Sequence, residues 1–404
     1  MGVVGNLRYS CYLSISLKFS PMTIEILLKY LFTVLLIFSF SAISYGQVEK
    51  AEADLQNIIK ELEIVGLSVA VVKNNNIIYT NSFGLKDIES NTPLSDKDIF
   101  RIASISKSFS VTSIMQLVEA GKLSLNDDFS DLVGFKVRNP KFPETVITLK
   151  MALSHTSSLN DSEGYFNLDV INPAKNPNWA NCYNDYEPGK GYDYCNLAFN
   201  MVGATIEKLS GERFDRYVKH HILNPLGFYG GYCVDSLDAS LFTTLYEYKA
   251  STKEFTPSPS AYAPRREEIK NYVMGYSTPI FSPTGGMKTS ATDLAKYMMM
   301  HMNQGKYKGT RIISKKSAKL MQTKAAENGY ALAIMNADDV IPGMTLRGHT
   351  GSAYGLNSAM FFHPKEKFGI VVLTSGSNAP ETAEHNKVVV QTVNSLYDNF
   401  IKKE

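Results

Sequence analysis

A serine stands three residues ahead of a lysine at the start of the strongest helix pattern in the chain, in Ser104-Ile-Ser-Lys107. A spacing of three puts both side chains on one helical face, one turn apart. A serine hydroxyl is a poor nucleophile until a base takes its proton. Lysine is such a base only when neutral, and its reference pKa is ~10.4. Burial and a nearby cation or proton network must lower that value by ~3 pH units, about 4 kcal/mol. A helix N-terminus helps, because its dipole disfavours a cation and favours an anion. The bland reading is a capped, solvated helix start, and about two Ser-x-x-Lys matches are expected by chance at this length. The motif therefore needs company.

Tyr194-Cys-Asn196, ahead of a helix expected over 197–210, is the second motif. Tyr-x-Asn also occurs at Tyr79-Thr-Asn81, on an expected hairpin strand, and at Tyr397-Asp-Asn399, in an expected terminal helix. Tyr194 differs in following the loop Glu187-Pro-Gly-Lys-Gly-Tyr-Asp, which can bring a phenol over a cleft. A phenol can relay a proton from a serine to a leaving group; otherwise it bridges core and surface. The third motif is His349-Thr-Gly351, on an expected strand. Glycine there lets substrate lie against the strand backbone. The histidine can position a proton network or a substrate carboxylate. His155, His220, His221, His301, His363 and His385 read as structural, with no partner visible in the sequence. Without His-Glu-x-x-His or Cys-x-x-Cys, no metal and no cofactor is expected.

The elements that must position these groups follow from periodicity. Leu55, Ile58, Ile59 and Leu62 give a helix within 48–64. Strands are expected at 67–72 and 77–83, around the polar turn Asn74-Asn-Asn76. Ile105, Phe109, Ile114, Leu117 and Val118 mark a helix from Ile102 to Ala120, ended by Gly121. Residues 123–280 are rich in Asn, Asp, Pro, Gly and Tyr, with helices near 148–154, 197–210 and 213–223. Ser290-Ala-Thr-Asp293 starts a Met-rich helix over 291–303, read as core filling rather than an adaptable surface. Strands return at 330–336, 344–350, 355–363 and 368–375, before a helix over 381–401. The expected fold is α+β. One antiparallel sheet is built from both chain ends (47–122 and 281–404) and flanked by helices, with a mainly helical domain, 123–280, inserted.

Composition narrows the class. A chain of 404 residues, 44% hydrophobic and 20% charged, is neither disordered nor collagen-like nor a polytopic membrane protein. Net charge is +2, and setting aside Arg8, Lys18, Lys29 and Glu25 of residues 1–46 leaves the rest neutral. That balance offers no basic field for nucleic acid and no polybasic membrane patch. Leu31 to Phe40 is an apolar run behind Lys29, followed by small residues at Ser44 and Gly46. This pattern predicts a secretory signal cleaved after Gly46, with export to a bacterial periplasm or beyond. The run is too short to span ~30 Å of hydrocarbon, and no Cys follows it to carry a lipid. Met22 offers a second start, which makes 1–21 an extension and discards Cys11. Cys182, Cys195 and Cys233 then meet an oxidising compartment, where one pair can bridge; the pairing stays open.

In order and context these blocks resemble the serine β-lactamase and penicillin-binding-protein family, in particular its class C-like branch of DD-peptidases and esterases. The resemblance covers most of the mature chain. Phe100 to Phe109 looks like the nucleophile helix, and Leu153-Ser-His-Thr-Ser-Ser-Leu159 resembles a helical-domain stretch. Tyr194-Cys-Asn196 running into Val202 to Gly211 is similar to the second motif, and Pro283 to Leu294 and Gly348-His-Thr-Gly351 complete the series. The resemblance implies that Ser104 is acylated, that Lys107 is its base and that Tyr194 shuttles the proton. It further implies that Asn196 touches the substrate amide, that His349, Thr350 and Gly351 line the strand side, and that backbone N–H groups of Ser104 and Ser352 form the oxyanion hole.

Two departures qualify it. His349 stands where many β-lactamases of this branch carry lysine; a histidine there is more like the carboxypeptidases and esterases. Cys195 replaces a frequent serine. No Gly-x-Ser-x-Gly elbow is present, against an α/β-hydrolase. The expected activity is cleavage of D-amino-acid peptide or amide bonds, DD-carboxypeptidase-like, ahead of small-ester hydrolysis and β-lactam hydrolysis. A catalytically silent penicillin-binding-like sensor is the alternative of another class. The expected partner is a small peptide, amide or ester, peptidoglycan fragments included, with no nucleic acid and no stable membrane anchor.

Overall fold

Seven strands from the two ends of the chain form one sheet in the computed structural model. They are β1 (Gly66–Lys73), β2 (Asn76–Asp87), β3 (Thr92–Pro93), β4 (Met335–Ala337), β5 (Leu346–Ala353), β6 (Leu356–His363) and β7 (Phe368–Thr374). Their order is β4-β5-β6-β7-β1-β2-β3, antiparallel throughout. The join between the two chain ends is β1 against β7, with Leu67 opposite Thr374 and Lys73 opposite Phe368. Both strands are apolar almost without a break and buried along their length, which requires cover on both faces. Phe368 packs against Tyr397 of helix α5 (Lys387–Phe400), with the rings tilted and their centroids 5.4 Å apart. The next residue, Gly369, faces helix α4 (Ala291–Met302), where a Cβ would come within 2.6 Å of Met298 Cε. Successive strand residues point to opposite faces, so the two helices cover the two sides.

The described residues are Met1, Lys29, 46–379 and 385–402. The expected signal over 1–46, with its extension 1–21, lies outside them apart from Met1, Lys29 and Gly46. The chain divides into Met1–Lys50, of which 46–50 is helical, and a body, Ala51–Glu404, that holds the sheet. Helix α1 covers 51–61 of that body, α2 is Ser106–Glu119, and α3 is Asn196–Ser210. Phe109 and Tyr297 stack at 3.7 Å to join α2 to α4. The methionines of α4 (Met298, Met299, Met300 and Met302) are buried, as core filling requires.

Several boundaries differ from the sequence reading. Helix α2 starts at Ser106, after a 3-10 turn over Ala103–Ile105. The strand expected over 330–336 is reduced to β4, because Ala333 at φ +54° reverses the chain and lets Tyr330 pair with Met335. The segment expected as one helix over 213–223 is helical over Phe214–Val218 and continues as a π turn, Lys219–Leu223. In the last helix, 387–400 is helical behind an Asn386 cap, and 381–384 lie outside the described residues. The stretch 123–280 holds α3 and short helices, and also a hairpin, Tyr246–Lys249 with Glu254–Pro257. Cys182, Cys195 and Cys233 are free buried thiols; none of them bridges.

Candidate active site

Ser104 sits on the 3-10 turn just ahead of α2. Among residues 98–115 it alone is not buried, so the turn presents its side chain to a cleft. The residue before it, Ala103, is held at φ +46°, a left-handed conformation that costs an L-residue about 1 kcal/mol. Strand β5 lies hard against this turn. A Cβ on Gly351 would be 2.5 Å from Ile102 O and 3.0 Å from Ala103 Cβ. A side chain on Gly351 would thus run into the turn, and its absence leaves room for Ile102, Ala103 and Ser358. Ser358 Oγ, on the neighbouring strand, donates to Ile102 O at 3.1 Å and fixes the same turn.

Lys107 is fully buried, and its Nζ has three oxygen neighbours: Ser104 Oγ at 3.2 Å, Asn196 Oδ1 at 2.7 Å and Thr284 O at 3.0 Å. Burial pulls its pKa down from the ordinary lysine range to about 7, partly offset by the negative charge of Asp161. A neutral amine has two N–H bonds and one lone pair. Asn196 Oδ1 and the Thr284 carbonyl can only accept, so they take the two hydrogens and leave the lone pair for the Ser104 hydroxyl. That is the arrangement a serine needs for activation.

Asn196 is held from the other side. Its Nδ2 donates to Asp161 Oδ2 at 2.8 Å, and Thr284 Oγ1 donates to its Oδ1 at 2.6 Å. Asp161 also accepts the backbone N–H of Asn196 at 2.9 Å and of Leu197 at 2.8 Å. Cys195 is the N-cap of α3, with Sγ accepting from Ala198 N–H at 3.4 Å. The thiol thus makes the capping bond for which a serine hydroxyl is a preferred acceptor; burial holds it protonated, its pKa well above the usual thiol range.

The Tyr194 ring lies 4.5 Å from Lys107 Nζ, and its hydroxyl is shielded from solvent with no hydrogen bond of ordinary geometry. Burial drives the phenol pKa upward, while the Ser104 hydroxyl beside it works the other way. His155, expected to be structural and unpartnered, accepts the Cys195 N–H at Nδ1, 3.0 Å away, and packs on Tyr194 with centroids 4.2 Å apart. Burial and the Lys107 charge keep it neutral.

His349 is buried on β5. Its Nδ1 is 2.5 Å from Thr350 O, an acceptor, so Nδ1 carries the proton. Nε2 then accepts from Tyr330 OH at 3.0 Å. Burial and the Lys107 charge lower its pKa to about 3. A neutral imidazole fits the expected proton network, but supplies no charge to a substrate carboxylate. Thr350, Gly351 and Ser352 follow along the wall of the cleft.

Ser104, Tyr194, Tyr330, His349 and Ser352 face a cleft of about 320 Å³. It continues past Tyr192 and Met335 into a second volume of about 440 Å³ bordered by Asn328, Asn336, Asp338 and Asp339. Among the described residues lining the two volumes there is no lysine or arginine. The sequence reading missed Asp161, Thr284, Tyr330 and the partnership of His155. Thr284 and His155 fall inside blocks already singled out; Asp161 and Tyr330 carry no local signal.

A family model described as Beta-lactamase matches residues 51–394. Protein flp of Staphylococcus aureus (strain N315) is 25% identical over 366 residues, covering 85% of this chain and 66% of flp. The chain thus spans about two thirds of the length of the curated relatives it matches. Among solved structures, an octameric penicillin-binding protein homologue from Pyrococcus abyssi superposes with a TM-score of 0.69 at 24% identity, covering 86% of this chain and 77% of that one. EstCE1, a hydrolase with promiscuous acyltransferase activity, gives 0.69 at 22% identity, with 88% and 99% covered. These two likenesses concern the fold. The match over most of the body, on the sheet and cleft just described, makes the chain a member of the beta-lactamase family.

Proposed function

We propose that the chain is an exported serine hydrolase that works through an acyl-enzyme on Ser104, cleaving peptide or amide bonds next to D-amino acids. The observation that carries this reading is Lys107, buried, with a pKa of about 7 and Nζ 3.2 Å from a Ser104 hydroxyl that opens on a cleft. Lys107 takes the Ser104 proton as Oγ attacks the substrate carbonyl. Backbone N–H groups of Ser104 and Ser352 receive the developing oxyanion, where each donor is worth ~3–4 kcal/mol. Tyr194 passes a proton to the leaving amine as the C–N bond breaks and is resupplied with the Ser104 proton that Lys107 holds. Water then attacks the ester carbonyl and gives a proton to the neutral Lys107, which passes it to Ser104 Oγ as the ester C–O bond breaks, so that Ser104 is regenerated and the acid released. Asn196 and the β5 wall of His349, Thr350 and Gly351 orient the substrate, and no cofactor takes part.

One observation favours a second reading, an esterase or amidase acting on uncharged substrates. The described cleft lining carries no lysine or arginine and His349 is neutral, so a terminal carboxylate finds no fixed positive charge there. β-Lactam hydrolysis ranks behind both. The assembled Ser104, Lys107 and Tyr194 count against a silent sensor.

The test is intact mass after mixing with a fluorophosphonate and with a reporter β-lactam, then turnover on D-Ala-D-Ala peptides, D-amino-acid amides and p-nitrophenyl esters. An adduct mapped to Ser104 and lost in Ser104→Ala is expected; a label on Ser106 or Ser108 overturns the assignment. Export is read separately: the exported protein should begin at Gln47, and retention of residues 23–46 would defeat it.

A further inference from the structure

We infer that Asp161 is a positioning residue for the Lys107 base, acting through the Asn196 carboxamide. The inference rests on the proposed acylation of Ser104. Asp161 sits in the stretch between the His155 segment and the Tyr194 loop, and none of its bonds reaches Ser104. It nevertheless decides which way Asn196 points. Oδ2 of Asp161 accepts from both the backbone N–H and the Nδ2 of Asn196, at 2.9 and 2.8 Å. A carboxylate can only accept, so Nδ2 must face it and Oδ1 must face Lys107 and Thr284. Oδ1 of Asp161 accepts from Leu197 N–H at 2.8 Å and from the Cys195 thiol at 3.4 Å, which locks the carboxylate against the start of α3.

The orientation matters because of the lone pair. With Asn196 Oδ1 toward it, neutral Lys107 spends an N–H on Asn196 and keeps its lone pair for Ser104. With the amide reversed, Nδ2 becomes a donor at 2.7 Å, competing with Ser104 for that lone pair. The base would then be occupied. Asp161 also places a negative charge near Lys107 and favours its ammonium form. The other groups facing Lys107 are Cys195 and Tyr194 from the segment before α3, His155, and His349 from β5. The two histidines are neutral and Cys195 and Tyr194 keep their protons, so Asp161 is the charged neighbour among them.

Asp161→Asn puts an N–H₂ where two donors now arrive, releasing Asn196 to reverse. The measurement is the rate constant of Ser104 labelling by a fluorophosphonate across pH 5–10, on the full chain. The maximum should fall roughly 10- to 100-fold, a fraction of what general-base catalysis contributes. The acid limb should move to lower pH, since the ammonium loses its anionic neighbour. Asp161→Glu should recover part of the maximum. In an Asn196→Ala background, where the amide lever is gone, Asp161→Asn should lower the maximum little further. A merely structural aspartate would instead shrink the active fraction with an unmoved acid limb, and with the same loss in both backgrounds; either result overturns the inference. Absence of a Ser104 label in the unsubstituted chain would overturn the hydrolase reading itself, and with it the role given to Asp161.

Discussion

The Tyr330 hydroxyl donates to His349 Nε2 at 3.0 Å, and this bond fixes the character of the cleft wall. His349 Nδ1–H is already committed to Thr350 O, so a second proton could go only to Nε2, and burial, which lowers the ring's pKa to about 3, keeps it off. The β5 wall is therefore polar but uncharged.

Substrate charge should follow from that wall. For a matched pair differing only at the end that lies along β5, the carboxamide should be turned over faster than the free acid. His349→Lys adds a cation to the wall and should narrow or reverse the preference. Steady-state kcat/KM on the pair checks it, and a strong preference of the unsubstituted chain for the free acid would contradict the uncharged-wall account.

A second expectation concerns pH. Lys107 acts only when neutral, and burial brings its pKa to about 7. Labelling of Ser104 should rise with pH through a single limb centred near 7 and fall about tenfold per pH unit below it. Lys107→Arg should lose that limb together with about 10²–10⁴ of the rate, since a guanidinium keeps its proton throughout. A limb centred near 4–5 would point to a carboxylate as the base instead.

How far the sequence foretold this site depends on the range of each contact. Ser104 and Lys107 were legible because a spacing of three within one helix start fixes their relation locally. The contact between Asp161 and Asn196 spans 35 residues of loop without periodicity, so nothing short-range announces it. Tyr330 was hidden differently. Tyr330 to Ile334 is apolar and buried, a composition shared by strands and by buried turns. The reversal at Ala333 decides between them, and alanine gives no warning of a left-handed conformation. The sheet was legible because β1 and β7 are unbroken apolar runs. The free thiols were not, since pairing depends on the geometry of segments far apart in the chain.

Gly351→Ala tests the packing of β5 on the nucleophile turn. The added methyl would meet the backbone oxygen of Ile102 at 2.5 Å and Ala103 Cβ at 3.0 Å, neither of which is the end of a flexible side chain. The turn must move, and Ser104 with it. Labelling should fall by about 10² or more, the effect of misplacing a reacting group by roughly 1 Å, while circular dichroism and the cooperativity of unfolding stay close to those of the unsubstituted chain. Unchanged labelling would mean that β5 and the turn are not in this contact.

The buried lysine should also cost stability, in a way that pH reveals. Lys107 has a folded pKa of about 7 against an ordinary value of 10.5. Between those two values the unfolded chain holds a proton that the folded chain lacks, so stability rises with pH across that window. The destabilisation is complete below pH 7 and absent above 10.5. A shift of this size corresponds to about 5 kcal/mol. Lys107→Met removes the titration but leaves Asn196 Oδ1 and Thr284 O each short of a donor, at about 1–3 kcal/mol for an unpaired buried group. The absolute change is thus a difference of similar quantities, whereas its pH dependence is not. Denaturant unfolding at pH 6 and at pH 10 should show the Met variant gaining on the unsubstituted chain by several kcal/mol more at the lower pH. Equal differences at the two pH values would mean that Lys107 titrates alike in the folded and unfolded chains, and the neutral base would have to be sought elsewhere.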